Sequence, residues 1–260
     1  MLPLQRPFDS LHAALTVLRR HPGEVVCYLG LITVAGWYSS YAADSESDEF
    51  VIAALGAILI FILLGAILGG LLVYHLHRAL LENRRVTISE WRGQGRRIRA
   101  VIGRSILIWV VAAILIAPLV IGLSYFFGSY ENAVAITHFG ALASFGLGIY
   151  VAVLFLGIRI PHTVAVGQSP LPEPLRQGAH IRQLAWHLLA PAAILVPSEV
   201  LVYVLTSEGS EVTVWDHFLG LLTAIVTLLC TAMTAAILSD TYRRFADDPS
   251  PRPNSGSGGA

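Results

Sequence analysis

The strongest constraint on this chain is a set of six apolar stretches, each long enough to cross a bilayer. A helix needs about 20 predominantly apolar residues to span the hydrocarbon core. Such stretches run roughly over residues 24–43, 51–74, 105–124, 133–158, 184–206 and 216–238. Lipid offers the backbone no hydrogen bonds, so spanning segments are helices or closed barrels. These runs are apolar all round and lack the alternation of barrel strands. Only 13% of the residues are charged and the mean hydropathy is +0.67, against about 25% charged in a soluble domain. That excludes a disordered chain, a basic nucleic-acid-binding domain and a small disulfide scaffold. The expected fold is all-α: a polytopic bundle of six transmembrane helices with short interfacial helices over residues 1–245. A cytoplasmic tail over 246–260, rich in Asp, Pro, Ser and Gly, is expected to be disordered.

Charge placement gives the orientation. All 17 basic residues are arginine. They fall in the N-terminal segment (Arg6, Arg19, Arg20), after the second stretch (Arg78 through Arg104), after the fourth (Arg159, Arg176, Arg182) and in the tail (Arg243, Arg244, Arg252). The other three connections carry Asp44, Glu46, Asp48, Glu49, Glu131, Glu208, Glu211 and Asp216 instead. The positive-inside rule then places both termini in the cytoplasm, as in a multi-pass protein of a bacterial inner membrane. Trp37, Tyr38, Tyr41, Tyr125 and Trp215 sit near the outer ends of spans, where amphipathic rings favour the headgroup level.

No cleaved signal is visible before Glu24. Phe8, Leu11, Leu15 and Leu18 mark one face of a short helix for which Asp9 is the expected N-cap. This helix either lies on the inner leaflet or packs on the cytoplasmic ends of the bundle.

A shift of 83 residues aligns Glu90, Gln94, Gly95, Ile98 and Arg99 with Glu173, Gln177, Gly178, Ile181 and Arg182. This points to a three-fold repeat of hairpins, each preceded by a surface segment. Thr87-Ile88-Ser89-Glu90 reads as a capping box opening the second such segment, with Ile88, Trp91, Ile98 and Ile102 on one face. Gly65 and Gly69 form a GxxxG pair, and Gly140, Ser144, Gly148 and Ala152 form a small-residue stripe; both are expected at close helix contacts. Cys27 and Cys230 fall in apolar runs and are expected as small packed side chains.

Three constellations are candidates for function. Glu199 is the one acid well inside a span, 7 residues from Thr206, or about 10 Å at 1.5 Å per residue. Pro191 and Pro197 share its stretch, and each removes a helix hydrogen bond. Thr223, Thr227, Thr231 and Thr234 line one face of the last stretch. Together they read either as an intramembrane polar site or as interhelical hydrogen bonding. Arg92, Arg96, Arg97 and Arg99 read as contacts to anionic lipid headgroups, or simply as the charges that enforce topology. His75, His77, His162 and His187 lie near inner span ends, and His75 with His187 is the pair that depth allows as axial ligands of a haem.

Motifs of common enzymes are absent: there is no HExxH, GxSxG or GxxxxGK. The layout resembles a group of bacterial six-span proteins that are similar to the membrane domain attached to some glycerophosphodiester phosphodiesterases. The likeness rests on Phe8-Asp9-Ser10-Leu11 followed by Arg19 and Pro22, on the segment from Glu90 and Gln94 to Arg99, and on Asp240-Thr241-Tyr242-Arg243. The phosphodiesterase catalytic domain is not in this sequence, so the resemblance implies no enzymatic activity, cofactor or site residue. The first expectation is therefore a non-enzymatic structural, accessory or lipid-interacting membrane component. It has the bilayer, including anionic lipids, as partner, and no nucleic acid. The alternatives are a small-molecule or ion transporter using Glu199 and the threonine face, and a haem-binding electron carrier.

Overall fold

The computed structural model describes residues 6, 8–43, 48–84, 88–127, 146–206 and 214–246. Side chains are described throughout these except at 32, 35–43, 48–63, 88–89, 120, 123–124, 126–127, 199, 203–204, 206 and 214–216. The described residues form helices and no strand. In chain order the helices are α1 (Asp9–Arg20), α2 (Pro22–Ala43), α3 (Asp48–Glu82), a 3₁₀ turn (Ile88–Trp91) and α4 (Gly95–Phe127). They continue with α5 (Gly146–Leu156), α6 (Arg159–Val166), α7 (Glu173–Arg176), α8 (Ile181–Thr206) and α9 (Val214–Ala246).

Among the described residues, four helical stretches are long and apolar enough to cross a membrane: Leu64–Glu82, Gly95–Leu119, Ile181–Val202 and His217–Ala246. The pair α5 and α6, bent by 42°, adds a fifth if taken as one span. The chain is thus a multi-pass helix bundle by the length and composition of its helices. The first expected span coincides with α2, most of whose side chains lie outside the described residues. Residues 133–145 of the fourth also lie outside them, as does the tail beyond Ala246.

α9 is the axis of the bundle. Its face from Leu228 through Leu238 is buried against Leu72, Leu76 and Leu80 of α3, Leu184 and Leu188 of α8, and Ala13, Ala14 and Val17 of α1. A second apolar cluster joins α3, α4, α5 and α6 through Tyr74, Val101, Ile108, Ala112, Ala152 and Ile160. Much of the outer surface is apolar: Ile114 is 66% exposed, Ile121 68% and Leu147 60%. Water would penalise such a surface at roughly 25 cal/mol per Å² of apolar area, whereas acyl chains do not.

Several expectations need correction. Asp9 is the first residue of α1 and not its cap; its Oδ2 accepts the Arg6 backbone N–H at 2.8 Å. α1 packs on α9 through Ser10, Ala13, Ala14 and Val17, while Phe8 and Leu15 point outward. Small side chains let the helix approach closely; Leu11 and Leu18 of the expected stripe also pack against this core, partly buried, whereas Phe8 and Leu15 do not. Ile88–Trp91 is a single 3₁₀ turn in which Glu90 reaches arginines; Thr87, on which the expected capping box depends, lies outside the described residues. Arg96, Arg97, Arg99 and Arg104 ride on the first turns of α4, which continues without a break into the apolar stretch. Trp91, Ile98 and Ile102 do share one apolar cluster.

Close helix contacts also differ from the glycine pattern. Among the described residues, a methyl built on Gly65 would meet nothing within 4 Å, and one on Gly69 would lie 3.8 Å from Tyr28. The tight crossing is at Gly70, where a methyl would fall 2.9 Å from the Ile102 Cα. In the second stripe, Gly148 faces Ile116 and Ala112 of α4, and Ala152 is buried in the same cluster. Gly140 and Ser144 lie outside the described residues.

Candidate functional site

A cavity of about 490 Å³ adjoining the functional candidates lies between α3, α4, α5, α8 and α9. Its walls are mainly apolar, including Ile108, Val153, Leu188, Ala192 and Leu195. Trp109, Leu147, Leu189 and Val196 line it and are themselves exposed, so the space adjoins the apolar outer surface. A polar strip runs along it: His77 from α3, Ser105 from α4, Tyr150 from α5, and Thr227, Thr231 and Thr234 from α9.

Each polar group is placed by its own helix. The Tyr150 hydroxyl donates to the Ala185 carbonyl at 2.8 Å, fixing α5 against α8. The ring Nδ1 of His77 lies 2.7 Å from the Ser239 hydroxyl, a buried link from α3 to α9. The Thr231 hydroxyl donates to the Thr227 carbonyl at 2.8 Å, one turn back in its own helix, which is the ordinary way a threonine is satisfied in an apolar span. The Ser105 hydroxyl is buried with no partner among the described residues, and so is that of Thr223. A buried hydroxyl without a partner costs about 1–3 kcal/mol; the Ser105 oxygen itself is sealed within the packing, although other atoms of the residue line the cavity.

Of the predicted polar site, Thr227 and Thr231 therefore line the cavity together, and Thr223 does not. Glu199 belongs to α8, but its side chain lies outside the described residues. Cys230 also lines the cavity, and its Sγ lies 3.5 Å from the Pro191 carbonyl.

The predicted arginine contacts separate. Arg92 and Arg99 are exposed. Arg97 Nη1 donates to the Val164 carbonyl at 3.4 Å, and Arg96 Nη2 approaches Gln168 Oε1 at 3.5 Å, so both tie α4 to the α6 region. Arg104 does the same, donating to the Arg159 carbonyl at 2.5 Å.

Among the described residues six histidines are buried: His21, His75, His77, His162, His180 and His187. His162 is held through both nitrogens; Nε2–H donates to the Ser169 carbonyl at 2.8 Å, and Nδ1 faces the Tyr242 hydroxyl at 3.3 Å. His187 lies within electrostatic reach of Asp9, Asp240 and Arg244. His75 has other neighbours: the Trp91 indole N–H donates to its Nδ1 at 3.2 Å, its Nε2 is 3.3 Å from Glu24 Oε1, and the His21 ring stands edge-on at 4.6 Å. The two rings of the expected haem pair thus belong to different surroundings. His180, in the turn before α8, packs on Phe245, and burial pushes its imidazole below the ordinary value.

The cluster of His21, Glu24 and His75 is absent from the sequence reading. Its only trace is His-x-x-Glu straddling Pro22, with the third residue more than fifty positions on. Pro22 disfavours helix for the residue before it, so His21 leaves α1 and Glu24 falls on the first turn of α2. α2 packs on α3, which brings His75 to them.

No protein-family model matches the chain, nor does any curated protein or solved structure.

Proposed function

We propose that this protein is a lipid-interacting component of a bacterial inner membrane. It has six spans built as a three-fold hairpin repeat, both termini lie in the cytoplasm, and it has no catalytic activity of its own. In this reading the cavity holds a single lipid-soluble molecule: an acyl or isoprenoid chain along the apolar wall, with its polar end toward Thr227, Thr231 and Thr234. The cavity is the observation that carries it. Its volume of about 490 Å³ falls within the 300–1,000 Å³ usual for ligand sites, which are mostly apolar with a few placed polar groups. Exposed rim residues such as Leu147 and Leu189 support entry from the membrane and not from water. The resemblance of the layout to six-span membrane proteins fits a non-enzymatic role. Exposed Arg92 and Arg99, beside Arg96 and Arg97, support contact with anionic headgroups at the same end.

The test is native mass spectrometry of protein extracted in mild detergent. The wild type is expected to retain one lipid-class adduct per chain. Ala192→Trp fills the cavity and is expected to lose the adduct while keeping its helical circular dichroism. Equal retention by both proteins overturns the proposal.

A transporter is the second reading, favoured by the three threonines on the cavity wall. It requires Glu199 as the group that exchanges a proton or ion. Flux in proteoliposomes that is abolished by Glu199→Gln supports this reading, and unchanged flux removes it.

A further inference from the structure

We propose that His21, Glu24 and His75 form a binding site for a divalent transition metal of the zinc type, and that loading it breaks the hydrogen bond from Trp91 to His75.

The donor set comes first. Two imidazoles and one carboxylate suit zinc and its neighbours, whereas magnesium and calcium prefer oxygen ligands. One ligand atom from each of the three residues can be chosen so that all lie within 4.8 Å of one another. Glu24 Oε1 lies 3.3 Å from His75 Nε2 and 3.8 Å from His21 Nδ1. Ligand bonds near 2.0–2.1 Å in a tetrahedral site put neighbouring ligand atoms roughly 3.3 Å apart. The Glu24–His75 distance already matches, the Glu24–His21 distance needs a contraction of about half an ångström, and the two imidazoles, within 4.8 Å of each other, must close by at most about 1.5 Å. Both rings are almost fully buried, at 2% and 1% exposure, while the carboxylate is 25% exposed. Glu24 is thus the point at which an ion arrives, and the fourth coordination position is open to water or a further ligand.

Trp91 adds a second element. An indole nitrogen only donates, so the His75 Nδ1 that it reaches must present a lone pair. The proton of the neutral ring then sits on Nε2, aimed at Glu24. A metal on Nε2 needs that lone pair instead. The ring keeps one proton, which moves to Nδ1, with no net release from His75. Nδ1–H then faces the indole N–H, two donors with no acceptor between them, and Trp91 must withdraw. Trp91 ends the 3₁₀ turn that carries Glu90, so its withdrawal shifts the segment between α3 and α4. Metal-ligating histidines ordinarily donate their other N–H to an acceptor; here an indole blocks that arrangement until the ion is bound.

The experiment is calorimetric titration of Zn²⁺ into the full-length protein in detergent and a non-chelating buffer. The wild type is expected to bind one ion per chain. His21→Gln and His75→Gln are each expected to weaken binding by about tenfold or more. Trp91→Phe removes the competing donor and is expected to tighten binding by about tenfold; misfolding does not produce a gain in affinity. No binding by the wild type, binding unchanged in both histidine variants, or Trp91→Phe binding no more tightly than wild type would each overturn the proposal.

Discussion

Arg243 Nη2, near the end of α9, donates to the Leu80 carbonyl of α3 at 2.6 Å and to the adjacent Leu81 carbonyl. Both oxygens belong to the last turn of α3, where the helix leaves its carbonyls without partners. One side chain thus caps a helix and ties it to the axis of the bundle. A hydrogen bond to a charged group contributes about 1.5–3 kcal/mol. Arg243→Ala is expected to lower stability by about that amount in thermal unfolding followed by circular dichroism. Arg243→Lys is expected to recover only part of the loss, because an ammonium lacks the planar fork. An alanine variant as stable as wild type would show that the cap contributes nothing.

Glu90 and Glu173 occupy equivalent places in the proposed repeat but different environments. Glu90 accepts from Arg78 at 3.1 Å and from Arg84 at 2.7 and 3.0 Å. Glu173 is 69% exposed and 3.9 Å from an Arg176 that is equally open. Exposed pairs contribute little, whereas networks on partly buried arginine contribute more. Glu90→Gln is therefore expected to lower the unfolding midpoint, most clearly at low salt, and Glu173→Gln to leave it unchanged. Equal effects would contradict the distinction.

The crossing of α3 and α4 is set at Gly70. A methyl there would sit 2.7 Å from Ile102 Cγ1 and 2.9 Å from its Cα, and backbone does not yield as a side chain tip does. Overpacking of this kind costs about 1–3 kcal/mol, the loss expected for Gly70→Ala by the same unfolding measurement. Gly65→Ala meets no atom of the described residues and is expected to be neutral or to gain up to about 1 kcal/mol from helix propensity. Destabilisation by Gly65→Ala with none by Gly70→Ala would invert the assignment.

Acid sensitivity follows from His180. Its ring is 3% exposed, and neither nitrogen has a hydrogen-bond partner among the described residues. Burial lowers its pKa below the ordinary imidazole value, which is near 6.5. The unfolded chain therefore takes up the proton more readily than the folded one. Above about pH 6.5 the ring is neutral in both states and adds no pH-dependent penalty, and stability falls progressively as pH drops below it. His180→Phe keeps the packing on Phe245 and is expected to flatten the dependence of the unfolding midpoint between about pH 6.5 and 5. An unchanged slope would remove His180 as a source.

Hydropathy made the long helices legible, because the apolar runs of α3, α4, α8 and α9 have no competing reading. It misjudged where they end. Arg96, Arg97 and Arg99 read as a separate surface segment, yet arginine is a good helix former and α4 simply extends past the apolar stretch. α3, with 35 residues, is about 52 Å long and overshoots a hydrocarbon core of about 30 Å. The threonine face was visible through its spacing, and three of those threonines do line one cavity. The histidine cluster was not legible, because it depends on the break at Pro22 and on the packing of α2 against α3, neither of which leaves a spacing signature.

The central claim is that acyl chains, and not water, surround the exposed apolar belt. Ile114 on α4, 66% exposed, tests it most directly. The measurement is power-saturation electron paramagnetic resonance on a nitroxide attached at Ile114→Cys in the Cys27→Ser, Cys230→Ser background, reconstituted in liposomes. The predicted result is high collision with dissolved oxygen and low collision with a water-soluble nickel chelate, with the reverse order for a label at Arg99→Cys. A label at position 114 that collides with the nickel chelate as readily as one at position 99 would contradict the account.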